Sequence, residues 1–297
     1  CLGIDAVVEY DAASADPRTA EKRRWQVGSG PTGIAVDKAG NRAVVWSQFD
    51  QSLAVIDLSD EGTKARPAML ALSRKAKGAV AGDIALGRRL FHSAGDQRIS
   101  ADGRACASCH PDGRDDSLTW ATPDGPRNTP MLAGRLGHTA PFGWNGTADT
   151  VDGHLHLTFQ RLRGRGLESH EVAALEAFIN TMRTPTVHVS SVGSVAERVA
   201  RGKAVFESAV TACVTCHTAG GAVDGAGHDV GSKARADHDP KFDTPSLRFV
   251  SGTAPYFHDG RYRTLRELLV GSDGKMGHTA HLSPEDLEAL EAYMRTL

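Results

Sequence analysis

Two copies of the pentapeptide Cys-x-x-Cys-His constrain this chain more than any other feature. CASCH occupies residues 106–110 and CVTCH occupies residues 213–217, and together they use four of the five cysteines. This pentapeptide is an attachment site for c-type haem, in which both thiols bind the porphyrin and the histidine ligates the iron. The sequence therefore predicts two covalently bound haem c groups. Their attachment residues are Cys106, Cys109 and His110, and Cys213, Cys216 and His217.

A zinc ribbon and a thioredoxin-like redox pair are the two alternatives. The cysteine pairs of a zinc ribbon lie about 15–20 residues apart, whereas more than a hundred residues separate the two pairs here. A thioredoxin-like pair would occur once and would not need the histidine. Haem attachment leaves Cys1 without a partner in the chain, so it also excludes a disulfide framework.

The composition limits the remaining classes of function. A chain of 297 residues is long enough for two domains, and its net charge of −2 argues against nucleic-acid and anionic-membrane binding. No apolar stretch approaches the roughly 20 residues of a membrane helix. Bacteria attach haem c outside the cytoplasm, so we expect an exported, periplasmic protein. The sequence shows no signal peptide, and CLGIDAVVEYD resembles the interior of a strand, so we expect the chain to begin within a longer protein.

Residues 1–66 have the pattern of a small β-sheet. Short apolar runs occur at 33–36, 42–46 and 52–58, and turn-forming residues separate them. The stretch resembles one blade of a YVTN-type β-propeller. A plain β-meander is the alternative, because one blade cannot close a ring of four to eight.

The rest of the chain repeats itself. ALGRRLF at 85–91 corresponds to VARGKAVF at 199–206, and VAALEAFINTM at 172–182 corresponds to LEALEAYMRTL at 287–297. Between them, the segment at 128–146 corresponds to the segment at 243–260, and both contain Thr-Ala-Pro. We therefore predict a mainly α fold of two cytochrome c-like haem domains related by duplication, residues 78–187 and 188–297, preceded by the β-rich segment.

The motifs CASCHPDGR, WNG, TPSLR and TAPYFHDG, in this order, resemble those of the bacterial dihaem cytochrome c peroxidases and the MauG-type enzymes. The resemblance covers residues 78–297. It implies that the N-terminal haem reacts with hydrogen peroxide and that the C-terminal haem takes electrons from a small soluble cytochrome c or cupredoxin. It also implies that Trp144, in FGWNG, carries electrons between the haems. Dimers are common in this family, so a homodimer is an expected assembly.

The same resemblance implies further ligands. A Ca²⁺ ion would be bound by Asn128 and by the backbone oxygens of Thr253 and Pro255, which are hard donors that suit this ion. Arg248 would face a haem propionate. The distal ligand of the second haem would be Met276, whose thioether favours ferrous iron. Its rivals in the same segment are His278 and His281.

The distal side of the first haem departs from the family pattern. Many members carry a histidine shortly after the first pentapeptide, but this chain has none there, and Trp120 stands near the expected place. The first haem is therefore predicted to be open or to be ligated by His138.

The acid–base residues depart from the pattern as well. Gly164 stands where the family has a glutamate, and Glu168 is the nearest carboxylate. His154 replaces a glutamine of the family pocket, and an imidazole can accept and return a proton near neutral pH. We predict His154 as the distal acid–base group, with His156 or Glu168 in support. The alternative is that His154 is a surface histidine on a polar helix.

Three functions remain after these arguments. The leading prediction is an oxidoreductase of the cytochrome c peroxidase type. The second is a MauG-type enzyme that oxidises side chains of a partner protein, which a tyrosine or histidine at the second haem would favour. The third is a dihaem electron carrier without chemistry of its own. For the loop at 220–243, the Gly and Asp content predicts only mobility.

Overall fold

The computed structural model describes residues 1–59, 66–72, 82–188, 193–218 and 221–297, and the chain divides into two compact units. The first unit contains Cys1–Ser108 and Leu162–Phe178, and the second contains Cys109–Arg161 and Ile179–Leu297. The predicted domain start at residue 78 lies outside the described residues, as do residues 60–65 of the predicted β segment 1–66. The predicted bounds 78–187 and 188–297 stay predictions.

The secondary structure is mixed, with 31% of residues helical, so "mainly α" overstates the helix content. The helices are α1 Gly82–His92, α2 Cys106–Cys109, α3 Val151–Arg161, α4 Ser169–Ile179, α5 Ser194–Glu207, α6 Leu265–Gly271 and α7 Pro284–Met294. The strands are β1 Ala6–Tyr10, β2 Glu21–Gln26, β3 Pro31–Val36, β4 Arg42–Ser47, β5 Ser52–Asp57, β6 Ala68–Ala71, β7 Thr119–Thr122, β8 Gly125–Asn128, β9 Gly227–His228 and β10 Phe242–Asp243. Short 3₁₀ turns include Pro111–Gly113 and Cys213–Thr215.

The N-terminal segment forms an antiparallel sheet in the order β3-β4-β5-β6 and a separate β1-β2 hairpin. Side chains alternate along β4 and β5, so that one face buries Ala43, Val45, Ala54 and Ile56. Trp25 of the hairpin joins this apolar cluster. The three apolar runs of the sequence coincide with β3, β4 and β5. A four-stranded meander is compatible with a propeller blade and with a plain sheet.

A glycine brings two helices close together in each unit. In the first unit, a Cβ at Gly87 of α1 would lie 1.9 Å from the carbonyl oxygen of Ala174 in α4. In the second unit, a Cβ at Gly202 of α5 would lie 1.8 Å from the carbonyl oxygen of Ala289 in α7. No side chain fits at such distances, so only glycine permits this approach of the helix backbones.

The core of the second unit supports the second pentapeptide. Phe206 of α5 packs with Leu290 and Tyr293 of α7 and with the leucines of α6. The sequence predicts the start of α7, since Ser283 is an N-cap residue followed by Pro284 at the first helical position. The structure agrees, because the Ser283 side chain accepts a hydrogen bond from the backbone N–H of Asp286. Cys213 and Met276 pack against this same core. The helix pair thereby positions one wall of the candidate haem site.

Candidate haem centres and the residues between them

The second pentapeptide offers the chemical groups that a c-type haem requires. Cys213 and Cys216 are half-buried free thiols, and burial raises the pKa of both. His217 is only 6% exposed, and burial lowers its pKa to about 4. The imidazole is therefore neutral at pH 7, which is the form that ligates a metal. Its Nδ1 is buried without a hydrogen-bond partner.

These groups line one cavity of about 420 Å³. Met276 lines the same cavity, so the structure brings the predicted distal thioether together with the two thiols and His217. Of the two rivals, His278 also lines the cavity, whereas His281 is exposed and does not. The volume lies in the range of cofactor sites. Two thiols, an imidazole and a thioether around such a cavity fit a covalently attached haem.

The first pentapeptide is carried by α2, and both of its cysteines are half-buried. His110 follows the helix, and burial lowers its pKa to about 4, against the opposing effect of nearby Asp116 and Asp115. Its Nδ1 is also buried without a hydrogen-bond partner. The first pentapeptide therefore presents a neutral imidazole like that of the second, although His110 is half-buried and His217 is buried.

His154 lies on α3 in the same unit as His110. Burial lowers the pKa of His154 to about 4, and the positive charge of Arg161 lowers it further. Its Nδ1 is buried without a partner, and Gly143 packs directly against the ring. His154 is thus a half-buried, neutral imidazole with a buried Nδ1, which differs from a fully solvated surface histidine. His156, by contrast, is exposed on the same helix.

The other candidates for the first haem lie in different surroundings. His138 is exposed in a left-handed turn with φ 62°. Glu168 is exposed, and its backbone N–H donates to the Glu171 carboxylate at the start of α4. A Cβ at Gly164 would lie 2.4 Å from the carbonyl oxygen of Arg98. The backbone thus leaves no space for the family's glutamate side chain at that position.

Trp144 is held by several contacts within the second unit. Its indole N–H donates to the carbonyl oxygen of Asn128 at 2.7 Å. Its own carbonyl accepts a hydrogen bond from the backbone N–H of Asp243 at 2.8 Å. The ring lies edge-on to His258, with centroids 6.4 Å apart, and it lines the cavity of the second pentapeptide. The indole is therefore fixed beside the second haem site.

The three predicted calcium ligands lie partly together. The Asn128 amide nitrogen donates to the carbonyl oxygen of Pro255 in a short contact, and its Oδ1 is buried without a partner. Asn128, Thr253 and Pro255 all line the cavity. A side-chain amide can be turned to exchange its O and N positions. Turned in this way, Asn128 would direct Oδ1 at the Pro255 oxygen, which is a convergence of oxygens that a hard cation stabilises.

A buried ionic cluster next to Trp144 was missed by sequence reasoning. Asp237 is fully buried, and it accepts hydrogen bonds from Arg127 at 2.5 Å and from His258 Nε2 at 2.9 Å. His258 stacks on Phe242 at 3.7 Å. This cluster fixes part of the loop at 220–243, for which the sequence predicted only mobility. The motif TAPYFHDG was a signal for His258, but nothing distinguished Asp237 from its neighbouring aspartates.

Asp243 adds a buried carboxyl group to the cavity wall. Burial, together with the negative charge of Asp224, raises its pKa to about 7. Its Oδ1 is buried without a hydrogen-bond partner. Asp224 itself bonds to His228 at 2.7 Å. The cavity wall therefore includes a carboxyl group that is partly protonated at neutral pH.

Arg248 does not line the cavity. It is exposed, and its guanidinium donates to the carbonyl oxygen of Gly134 at 2.8 Å. Arg135 lines the cavity, and it donates in return to the carbonyl oxygen of Arg248. Arg248, which the family resemblance implies as the propionate ligand, is therefore exposed, and Arg135 lines the cavity instead.

Comparison with known proteins agrees with this arrangement. A family described as di-haem cytochrome c peroxidase matches residues 81–207, and one described as cytochrome c matches residues 199–297. The methylamine utilization protein MauG of Methylorubrum extorquens is 30% identical over 63% of this chain and 67% of that protein. The chain belongs to the dihaem cytochrome c peroxidase and MauG family.

Proteins with other named roles are also similar to this chain. Hydrazine synthase subunit gamma of Kuenenia stuttgartiensis is 28% identical over 65% of this chain and 72% of that protein. A solved hydrazine synthase from that organism and a MauG-like protein associated with microbial copper homeostasis each give a TM-score of 0.57, over 73% of this chain and 88% of theirs. At 22% and 21% identity, these two structures establish the fold alone.

Membership of the dihaem peroxidase and MauG family identifies the chemical class. Its members are dihaem oxidoreductases, and cytochrome c domains imply covalently bound haem c. Both implications agree with the two pentapeptides. Among the residues that the structure describes, no helix is both long and apolar enough to span a bilayer.

Proposed function

We propose that this protein reduces hydrogen peroxide to water with electrons from a small soluble cytochrome c or cupredoxin. The observation that carries the proposal is Met276 on the cavity of Cys213, Cys216 and His217. A thioether ligand favours the reduced iron of a haem that stores an electron. Tyr256 also lines this cavity, but its hydroxyl donates to the Val250 carbonyl oxygen at 3.0 Å. Methionine is therefore the better candidate ligand.

Bound haem would supply an iron site for peroxide at the first pentapeptide and one-electron transfer at the second. Cys106 and Cys109 would hold the first haem covalently, with His110 on its iron. Cys213 and Cys216 would hold the second haem, and this cavity would receive electrons from the donor protein. The neutral imidazoles of the two pentapeptides support these roles.

His154 would move the proton. Its pKa of about 4 keeps the ring neutral at pH 7, so Nδ1 can accept a proton from bound peroxide and return it to the departing oxygen. The unpaired state of Nδ1 supports this role, because no protein group competes for its lone pair. Glu168 and His156 are exposed, which makes them weaker candidates for the same role. His138 remains a candidate ligand of the first iron only if its turn moves, since it is exposed.

Trp144 would carry electrons toward the peroxide site. Its indole is fixed by the Asn128 carbonyl oxygen and borders the cavity of the second haem. A fixed aromatic ring provides a constant distance for electron transfer. A calcium ion bound by Asn128, Thr253 and Pro255 would hold Asn128, whose carbonyl oxygen fixes the indole.

A MauG-type enzyme that oxidises a partner protein is the second candidate. The departures at Gly164 and His154 support it, because the acid–base residues of this chain differ from those that the family resemblance implies. The 30% identity to a MauG protein also supports it. A non-enzymatic electron carrier is the third candidate, and it requires both irons to be six-coordinate and low-spin.

Further expectations belong to the same proposal. The matched helix approaches at Gly87 and Gly202 support descent of the two haem domains from one duplicated domain. The requirement for haem attachment outside the cytoplasm supports export to the periplasm. The propeller-blade origin of the N-terminal sheet and a homodimeric assembly stay predictions.

Trp144→Phe tests the proposed function. We expect donor-dependent peroxide turnover to fall at least about tenfold, an assumed loss of about 1.4 kcal/mol in the barrier, while both haem spectra stay intact. The control is Trp120→Phe, which removes an indole bonded to Asp116 rather than to Asn128. Unchanged turnover in Trp144→Phe would contradict the electron path. Electron paramagnetic resonance of the resting protein completes the test, because the absence of a high-spin iron would favour the electron carrier.

A further inference from the structure

One arginine on the wall of the second haem cavity has no carboxylate within ion-pairing distance among the described residues. Arg135 lines this cavity, and burial lowers its pKa to about 10. The negative charge of Asp115 opposes this shift, and the positive charge of Arg248 adds to it. A pKa lowered in this way means that the surroundings do not compensate the charge fully. The Arg135 side chain is half-buried, and a partly desolvated guanidinium without a carboxylate partner is costly for the folded protein.

The hydrogen bonds of Arg135 leave part of its guanidinium unused. Nε donates to the carbonyl oxygen of Arg248 at 2.8 Å, and Nη2 donates to the same oxygen in a short contact. Among the described residues, Nη1 makes no hydrogen bond and Arg135 forms no ion pair with any carboxylate within 4 Å. Asp115 acts on it only over a longer distance. The free side of the guanidinium is thus available to a ligand of the cavity.

The neighbouring Arg248 is differently placed. Its side chain is exposed and donates to the Gly134 carbonyl oxygen, so its role in the structure is to brace the segment that carries Arg135. The two arginines therefore differ in both exposure and access to the cavity. Water surrounds the charge of the exposed Arg248, whereas Arg135 is half-buried on the cavity wall, where an anion in the cavity would compensate its charge.

We infer that Arg135, rather than Arg248, binds a carboxylate of the cavity's occupant, which for a haem is a propionate. The planar guanidinium presents two parallel N–H donors that match a carboxylate. Pairing would compensate both charges at a place that water reaches only in part. It would also tie the porphyrin to the segment that carries Arg135, whether the haem serves peroxide reduction or electron carriage.

The charge of Arg135 would act on the iron. A positive group beside a propionate makes the surroundings of the iron less negative and so favours the reduced state. Removing that charge would therefore lower the midpoint potential of the second haem. Removing the exposed charge of Arg248 would have little effect, because solvent screens it.

The test compares Arg135→Gln with Arg248→Gln in the mature dihaem protein. The midpoint potential of the second haem is measured by spectroelectrochemical titration at pH 7 without peroxide, so a failure of the proposed enzymatic activity does not affect it. We expect Arg135→Gln to lower this potential and Arg248→Gln to leave it unchanged. An unchanged potential in Arg135→Gln, or an equal or larger shift in Arg248→Gln, would overturn the inference.

A second variant, Arg135→Lys, tests the inference if the glutamine variant does not fold or loses its haem. It keeps the charge but loses the paired donors, so we expect a potential between those of wild type and Arg135→Gln. Haem content is measured in each variant by the pyridine haemochrome assay. If Arg135→Gln loses the second haem, a lysine variant that keeps both haems with a lowered potential supports the inference. A lysine variant with the wild-type potential and haem content would overturn the paired contact.

Discussion

Asp237 shows how one residue can organise the surroundings of another. Its carboxylate lies between Arg127 and His258, and His258 in turn contacts the ring of Trp144. Burial alone would raise the pKa of Asp237, but hydrogen bonds from Arg127, the Ala234 backbone and His258 hold it below its usual value. The charge is therefore kept in the interior only by its partners.

Replacing Asp237 with alanine should destabilise the protein strongly. It leaves Arg127 as an uncompensated buried charge, and breaking a buried pair in this way costs about 3–5 kcal/mol. The measurement is the free energy of unfolding of the dihaem protein in denaturant. The control is Asp239→Asn, an exposed position two residues further along the same loop. Equal stabilities of the two variants would contradict the structural role of Asp237.

Asp243 should make stability depend on pH. Its pKa of about 7 in the folded protein exceeds the usual 3.8, so folding favours the protonated carboxyl group. That contribution is fully present below about pH 4 and is lost as the pH rises through about 7. We expect Asp243→Asn to melt at a higher temperature than wild type at pH 8, and the difference to shrink toward pH 4.

The control for this pH dependence is the exposed Asp149, replaced by asparagine. Thermal unfolding at several pH values should show a difference in melting temperature between wild type and Asp149→Asn that does not change with pH. If the difference in melting temperature between wild type and Asp243→Asn stayed constant from pH 4 to pH 8, the pKa of Asp243 would not be raised in the folded protein.

At the scale of the elements, the glycines at the two helix contacts have a testable consequence. Gly202→Ala would place a methyl group 1.8 Å from the Ala289 carbonyl oxygen, so α5 and α7 would have to separate. Overpacking of this kind costs about 1–3 kcal/mol or more. We expect a lower melting temperature for Gly202→Ala and for Gly87→Ala.

Gly82 provides the matched control for these helix glycines. It begins α1, and a Cβ there would meet nothing within 4 Å. Alanine should therefore leave the stability unchanged or raise it slightly, because alanine favours helix more than glycine does. A similar loss of stability at Gly82 and Gly202 would contradict the close-approach argument.

The elements that the sequence predicted are those that depend on local patterns. The apolar stripe and the Ser283 cap specify α7 over a few residues, and alternation specifies β4 and β5. The order of the loop around Asp237 could not be predicted in this way. Its partner Arg127 lies 110 residues away in the chain, and no local pattern encodes such a pair.

The residues of the candidate site also divide into those that a local sequence pattern predicts and those that only the fold determines. The thiols, the two proximal histidines and Met276 follow from short motifs, whereas the choice between Arg135 and Arg248 depends on which side chain reaches the cavity. Arg248 belongs to the motif TPSLR, and Arg135 belongs to the corresponding segment 128–146. Only the fold shows that the first is exposed and that the second is half-buried on the cavity wall.

At the scale of the whole molecule, the two pentapeptides should act as separate attachment sites. Replacing Cys213 and Cys216 together with alanine should reduce the haem content from two groups to one and leave the first attachment intact. Mass spectrometry of the mature protein measures this directly, since each attached haem adds a fixed mass. The reciprocal double variant at Cys106 and Cys109 is the control. Loss of both haems in either variant would show that the two attachments depend on each other.

The cavity of the second pentapeptide has walls from two distant stretches of chain, Asn128–Trp144 and Phe206–Met294. The matched cytochrome c region, residues 199–297, contributes only the second of these stretches. If this region were expressed as a free-standing cytochrome, one side of its porphyrin would meet bulk water instead of protein. Its iron would then be harder to reduce and easier for foreign oxidants to reach. The second redox centre therefore depends on both stretches of chain, and an exchange of residues 199–297 alone would separate them.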